Sequence, residues 1–172
     1  MSELVISAMG DDRPGLVDEL TQAAAKNGAN VAGSRMVNLH GVFAIVMLVE
    51  IEGPIEPLKQ AFEEAAGRLG LTLSIQQPGG GGRSGAAVPY RVRVYAMDQV
   101  GLVHRITHAL HVLSVNIEEL TTKLEHAPHT GAPLFSMDLI ASVPAEVKLR
   151  SVRDNLEELC AELNCDLDID RV

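Results

Sequence analysis

Apolar and polar positions alternate along this chain in two rhythms, and the rhythms recur in the same order twice. Residues 3–9 and 90–97 are short runs rich in β-branched side chains, the mark of strands. After each, apolar residues fall three and four apart. They are Leu16, Val17, Leu20, Ala23 and Ala24 in one stretch, and Leu102, Val103, Ile106, Leu110 and Leu113 in the other. That spacing predicts a helix with one stripe turned to a core, and Gly28 predicts where the first helix stops. Two strands follow in each half, at 30–39 and 42–51, then at 116–125 and 134–143. His40-Gly41 makes a tight turn in the first half, and His126 to Pro133 a longer loop in the second. Second helices are marked by Ile55, Leu58, Phe62, Ala65 and Leu69, and by Leu149, Val152, Leu156, Leu159 and Leu163. Closing strands are expected at 71–75 and 165–170. The latter alternates strictly, so one face is buried and the other wet.

The two halves keep register. Asp12-Arg13-Pro14-Gly15-Leu16-Val17 returns 86 residues later as Asp98-Gln99-Val100-Gly101-Leu102-Val103, and Asn30-Val31 returns at the same separation as Asn116-Ile117. A βαββαβ order occurring twice predicts an α+β protein of two tandem ferredoxin-like units. Each is a four-stranded antiparallel sheet with its helices on one face. The expected domains are residues 1–77 and 90–172, joined by a Gly-rich linker at 78–89. One strand breaks the pattern: Val42 to Val49 is apolar on both faces. A sheet open to water should alternate, so this strand predicts that the second face is covered by the other repeat or another chain, or that sheets pair edge to edge.

Composition narrows the function. Hydrophobic residues make up 47% of 172 positions but aromatics only 3%, so the cores must be aliphatic. Residues 1–77 carry five basic and ten acidic side chains, residues 78–172 nine and thirteen. Neither half has the positive footprint that direct nucleic-acid binding requires, which leaves control of transcription through another protein open. The first residues lack the charged start and apolar core of an export signal. No apolar run approaches a membrane span, and a cytoplasmic protein without membrane contact is expected. Cys160 and Cys165 have no partner pair for zinc, and a structural disulfide is not expected.

The loop from Gly10 to Leu16 ends a strand and opens a helix. Asp12 suits an N-cap and Pro14 the first turn, while Gly15 admits a close backbone or ligand. Free amides and the helix dipole favour a carboxylate. Asn30 offers donors and an acceptor to an amino acid, and Asp12 could pair with its ammonium. Plain capping and packing explain the same residues.

Asp-x-x-Gly-Leu-Val after a short strand, a helix of about 13 residues and then Asn-Val or Asn-Ile resembles the ACT domain, a regulatory amino-acid-binding module. The resemblance covers nearly the whole chain outside the linker. A stand-alone pair looks most like the glycine cleavage system transcriptional repressor family. The Asp-Arg-Pro-Gly-Leu-Val form is also similar to the amino-terminal module of formyltetrahydrofolate deformylase. The resemblance implies a ligand of the glycine or serine class between paired ACT units, held by the strand–helix loop and the Asn after the helix. Carried onto this chain, the ligand-binding positions are Gly10, Asp12, Arg13, Pro14, Gly15, Leu16 and Asn30, then Asp98, Gly101, Leu102 and Asn116. The second copy departs from the first at Val100, in place of Pro14, and at Ala96, in place of Gly10. Many ACT domains bind nothing and serve only as pairing surfaces.

Other constellations are weaker. His104, His108 and His111 share a helix face that could present a metal, yet they lie opposite the apolar stripe and read as a solvated face. No nucleophile elbow, Walker loop or dinucleotide fingerprint is present, and Cys160 reads as core. The expectation is a regulatory amino-acid sensor rather than an enzyme, with no cofactor or metal. It would be a homodimer acting on a protein partner such as a transcription factor. The alternatives are a ligand-free interaction module and the regulatory part of a split metabolic enzyme.

Overall fold

In a computed structural model of the chain, residues 1–78, 86–126 and 131–172 are described. The Gly-rich stretch 79–85 and loop residues 127–130, with His129, lie outside them. The chain divides into two compact units, Met1–Gly82 and Arg83–Val172.

The first unit runs β1 (Ser2–Asp11), α1 (Leu16–Lys26), β2 (Asn30–Leu39), β3 (Val42–Ile51), α2 (Ile55–Leu69) and β4 (Thr72–Gln76). Its sheet has the order β2-β3-β1-β4, antiparallel throughout. Strand period two sends Leu4, Ile6 and Ala8 of β1 and Phe43, Ile45, Met47, Val49 and Ile51 of β3 to one face. There they meet Leu16, Leu20 and Ala24 of α1 and Leu58, Phe62 and Ala65 of α2. Val17, expected in the stripe, is exposed instead.

The second unit runs β5 (Ala87–Met97), α3 (Leu102–Val112), β6 (Asn116–His126), β7 (Pro133–Pro144), α4 (Leu149–Leu163) and β8 (Cys165–Arg171). Its order, β6-β7-β5-β8, repeats the first. Even the irregularity is copied: β2 slips register between Val31 and Gly33, β6 between Ile117 and Glu119. Val103 is exposed like Val17. β5 begins three residues earlier than the alternation suggested, because β7 runs on to Pro144 and pairs Ala87, Val88 and Pro89. Among the described residues neither core contains a buried polar or charged side chain. Polar recognition is therefore confined to the rims and surfaces of the units.

The doubly apolar strand leaves its second face open. Val42 is 43% exposed and Val46 48%, beside Leu39 at 67%. Among the described residues of the first unit nothing covers this face. The outer face of the second sheet carries ion pairs beside exposed Tyr95, Met97 and Leu134. Arg91 pairs with Asp138 at 3.0 Å, and Arg93 with Asp168 at 2.6 Å and with Asp170.

Candidate functional site

The loop between β1 and α1 is built by a backbone demand. Asp11 ends the strand, and the Asp12 N–H donates to the Gly41 carbonyl at 2.8 Å, so Asp12 stays tied to the β2–β3 turn. The chain then has four residues in which to enter α1. Gly15 makes the entry at φ 96°, a left-handed conformation that glycine adopts without strain. Gly101 does the same before α3, at φ 91°.

Four expectations change as a result. Gly15, not Asp12, is the N-cap, and no side chain caps α1 or α3. Pro14 precedes the helix rather than opening it. Gly10 lies within β1, on the core side opposite Phe43; a Cβ there would stand 2.7 Å from Leu71 Cδ2 and 3.1 Å from the Gly70 carbonyl, so this glycine makes room for the turn after α2. Leu16 is 2% exposed and belongs to the core, as does Leu102, and neither side chain reaches the loop surface.

Arg13 has a structural post. Its Nη2 donates to the Leu69 carbonyl at 2.8 Å, at the end of α2. Gln99, one repeat later, donates Nε2 to the Leu163 carbonyl at 2.8 Å, at the end of α4. Two different side chains making the same tie identify position 13 as a brace between loop and helix end. The sequence carried a trace of this, since both residues bear N–H donors at the same repeat position.

The exposed polar centre of the first loop is Asp12 with Asn38, a residue the sequence reading missed. Asn38 donates Nδ2 to the Asp12 carboxylate, and its Oδ1 accepts the Gly41 N–H at 3.1 Å. An Asn two residues before a His-Gly turn commonly bonds nearby backbone, which was the available signal. Its reach to Asp12 depends on strand register. The second loop keeps only part of this. Asp98 N–H donates to the Pro133 carbonyl at 3.1 Å, but the position matching Asn38 is Leu124, paired with Phe135 as Asn38 is with Phe43.

Asn30 does not join Asp12 within the unit. It pairs with Glu50, which pairs with Glu3, at the start of β1. Asp12 lies nine residues further along, about 30 Å at strand rise. Asn116 is set apart from Asp98 by the same register, opposite Ser142 and thus level with Pro89. An amino acid spans about a fifth of that distance. Asn116 also bonds locally, to the Ile117 carbonyl and Glu118, both at 3.2 Å.

In chemical terms the first loop offers uncapped helix amides, suited to a carboxylate, beside the Asp12 carboxylate, suited to an ammonium. His104, His108 and His111 are exposed on α3, their rings 5.6 Å and 6.3 Å apart in succession. Among the described residues no group of three or more His, Cys, Asp or Glu is arranged to hold a metal ion, and no helix is long and apolar enough to cross a membrane.

Comparison with known proteins agrees with this architecture. The ACT domain family model matches residues 2–76. The glycine cleavage system transcriptional repressor of Escherichia coli (strain K12) is 28% identical over 169 residues, spanning 94% of this chain and 85% of the relative. A UPF0237 protein of Methanococcus maripaludis is 32% identical over 79 residues, covering 44% of this chain and 88% of its own length. A crystal structure of an unknown protein from Galdieria sulphuraria superposes with a TM-score of 0.89 at 29% identity, covering 99% of this chain and 98% of that one. The first unit belongs to the ACT domain family, the second repeats its strand order, and the chain as a whole is similar to the glycine cleavage system transcriptional repressor.

Proposed function

We propose that this protein is a regulatory sensor of a small amino acid of the glycine or serine class, acting on transcription indirectly through protein contact. The observation that carries the reading is the pairing of near full-length similarity to the repressor with a first loop that joins helix amides and an exposed Asp12. The register separates Asp12 from Asn30, so a site that uses both takes them from two copies of the chain. A twofold pairing that runs the strands antiparallel carries one copy's Asn30 end to the other's Asp12 end. The outer face of the first sheet supports such pairing. Three strands of ten residues and one of five, at about 4.8 Å between strands and about 3.3 Å per residue, make a face of about 550 Å². Two such faces total about 1,100 Å², just above the roughly 1,000 Å² expected of a biological interface. With Leu39, Val42 and Val46 exposed on it, the face suits burial against a second copy.

Titrating the twenty amino acids while following the melting temperature tests the sensor. A ligand at one hundred times its dissociation constant adds about 2.7 kcal/mol. The response should vanish in an Asp12→Ala, Asn30→Ala double variant that still assembles. A second reading, a ligand-free interaction module, is favoured by the engagement of Asp12 with Asn38 and of Arg13 with Leu69. It predicts a flat response to all twenty, and the sensor reading would then be abandoned.

A further inference from the structure

The two cysteines meet at the end of α4. Asn164 follows the helix in a left-handed conformation, φ 52° and ψ 50°, and β8 begins at Cys165. A left-handed residue there folds the chain back, so that the residue after it packs on the last turn of the helix, five positions earlier. The first unit shows the arrangement fully. Gly70 is left-handed, Leu71 N–H donates to the Ala66 carbonyl at 2.9 Å, and both side chains are buried. In the second unit the corresponding side chains are Cys165 and Cys160, where the Asn164 N–H turns back to the Ala161 and Cys160 carbonyls and both cysteines pack in the same core cluster. Cys160 is 2% exposed, and Cys165, half-buried, also donates Sγ–H to the Leu163 carbonyl at 3.6 Å. Leu163 is the residue whose carbonyl Gln99 holds, and Cys165 pairs with Ala96 of β5. The pair thus sits under the loop at Asp98.

We propose that Cys160 and Cys165 are a thiol–disulfide pair that a small disulfide oxidises within the folded chain. Cys165, the accessible member, loses its proton. Its thiolate attacks one sulfur of the oxidant RSSR, forming a mixed disulfide and expelling RS⁻. Cys160 then loses its proton and displaces the second RS⁻ from Cys165. The released thiolates take up the two protons, so RSSR gains two electrons to become two RSH and the chain gains one Sγ–Sγ bond. Burial pushes the Cys160 thiol up to about 11 and raises that of Cys165. Exchange is therefore slow at neutral pH and accelerates as pH rises. This inference goes beyond the sensor reading and does not depend on it.

The test uses the full chain, reduced and then equilibrated with glutathione disulfide in excess over glutathione, and acid-quenched. Thiols are counted after denaturation and the intact mass is measured. The expected product has lost both thiols and two hydrogens per chain, carries no glutathione and remains monomeric on a non-reducing gel. A Cys165→Ser variant, altered at the half-exposed position, should keep its Cys160 thiol. The same equilibrium in guanidinium separates the fold from mere closeness in sequence, and the folded chain should favour the internal disulfide at least about tenfold more. Two retained thiols, a glutathione adduct that never resolves, or equal equilibria in the folded and unfolded chain would each overturn the proposal.

Discussion

The two units share topology, a matching bulge and the brace from loop to helix end, yet they differ at their outer sheet faces and at the tips of their first loops. The first sheet shows water Leu39, Val42 and Val46; the second shows Arg91 and Arg93 held by Asp138, Asp168 and Asp170, beside exposed Tyr95, Met97 and Leu134. The first loop ties Asp12 to Asn38, where the second has Leu124. Both copies keep what the fold requires of each βαββαβ unit. They diverge where the fold leaves surface free, and those free surfaces are where function is expected to lie. By this comparison the first face is the more apolar of the two, and the second sets ion pairs among its exposed apolar positions.

The largest expected effect comes from making the first face resemble the second. Val46→Glu places a charge where a second copy would pack, and should weaken self-association by about 2–5 kcal/mol with little change in the folding of the monomer. Arg93→Ala on the second face should leave association unchanged. Sedimentation across a concentration series measures both. Next comes Gly10→Ala, which pushes a Cβ onto Leu71 and the Gly70 carbonyl and should cost about 1–3 kcal/mol in a denaturant melt. Ala96→Gly, the reverse change in the second unit, should cost at most about 1 kcal/mol. Smaller again, Arg13→Ala and Gln99→Ala should each lose about 0.5–1.5 kcal/mol, as one hydrogen bond to a helix-end carbonyl disappears. Arg13→Gln should restore the bond. Confined to high pH is an alkaline slope peculiar to the second unit. The Cys160 thiol is raised from 9.0 to about 11 by burial, so its contribution is intact below pH 9.0 and fades as pH climbs through about 11. Cys160→Ala should flatten that slope in chemical denaturation followed against pH.

Much of the fold was legible in the sequence because the information is local and periodic. The β2 and β3 bounds fall where the alternation and the His40-Gly41 turn put them. The buried positions of α2 and α4 follow the period of 3.6, apart from Ile55, Leu149 and Leu159, which are only partly buried. The site was less legible because it depends on register and on contacts between distant residues. Nothing near Asp12 in sequence announces Asn38, 26 positions away. Arg13 looked like a ligand donor until the end of α2, 56 positions on, proved to be its partner. Asp12 looked like a cap because Asp often is one, but the left-handed entry at Gly15 had already settled where α1 begins. The separation of Asp12 from Asn30 follows from strand pairing alone, which no local pattern contains.

The central claim is that the amino-acid site of the first unit is shared between two copies, and a mixing experiment tests it directly. Asp12→Ala chains and Asn30→Ala chains are each titrated with glycine or serine in a calorimeter, then unfolded, mixed in equal amounts, refolded together and titrated again. Each variant alone should bind nothing. The mixture should recover about a quarter of the wild-type sites, because half the dimers are mixed and one of their two sites is intact. No recovery from the mixture, or full binding by either variant alone, would contradict the account.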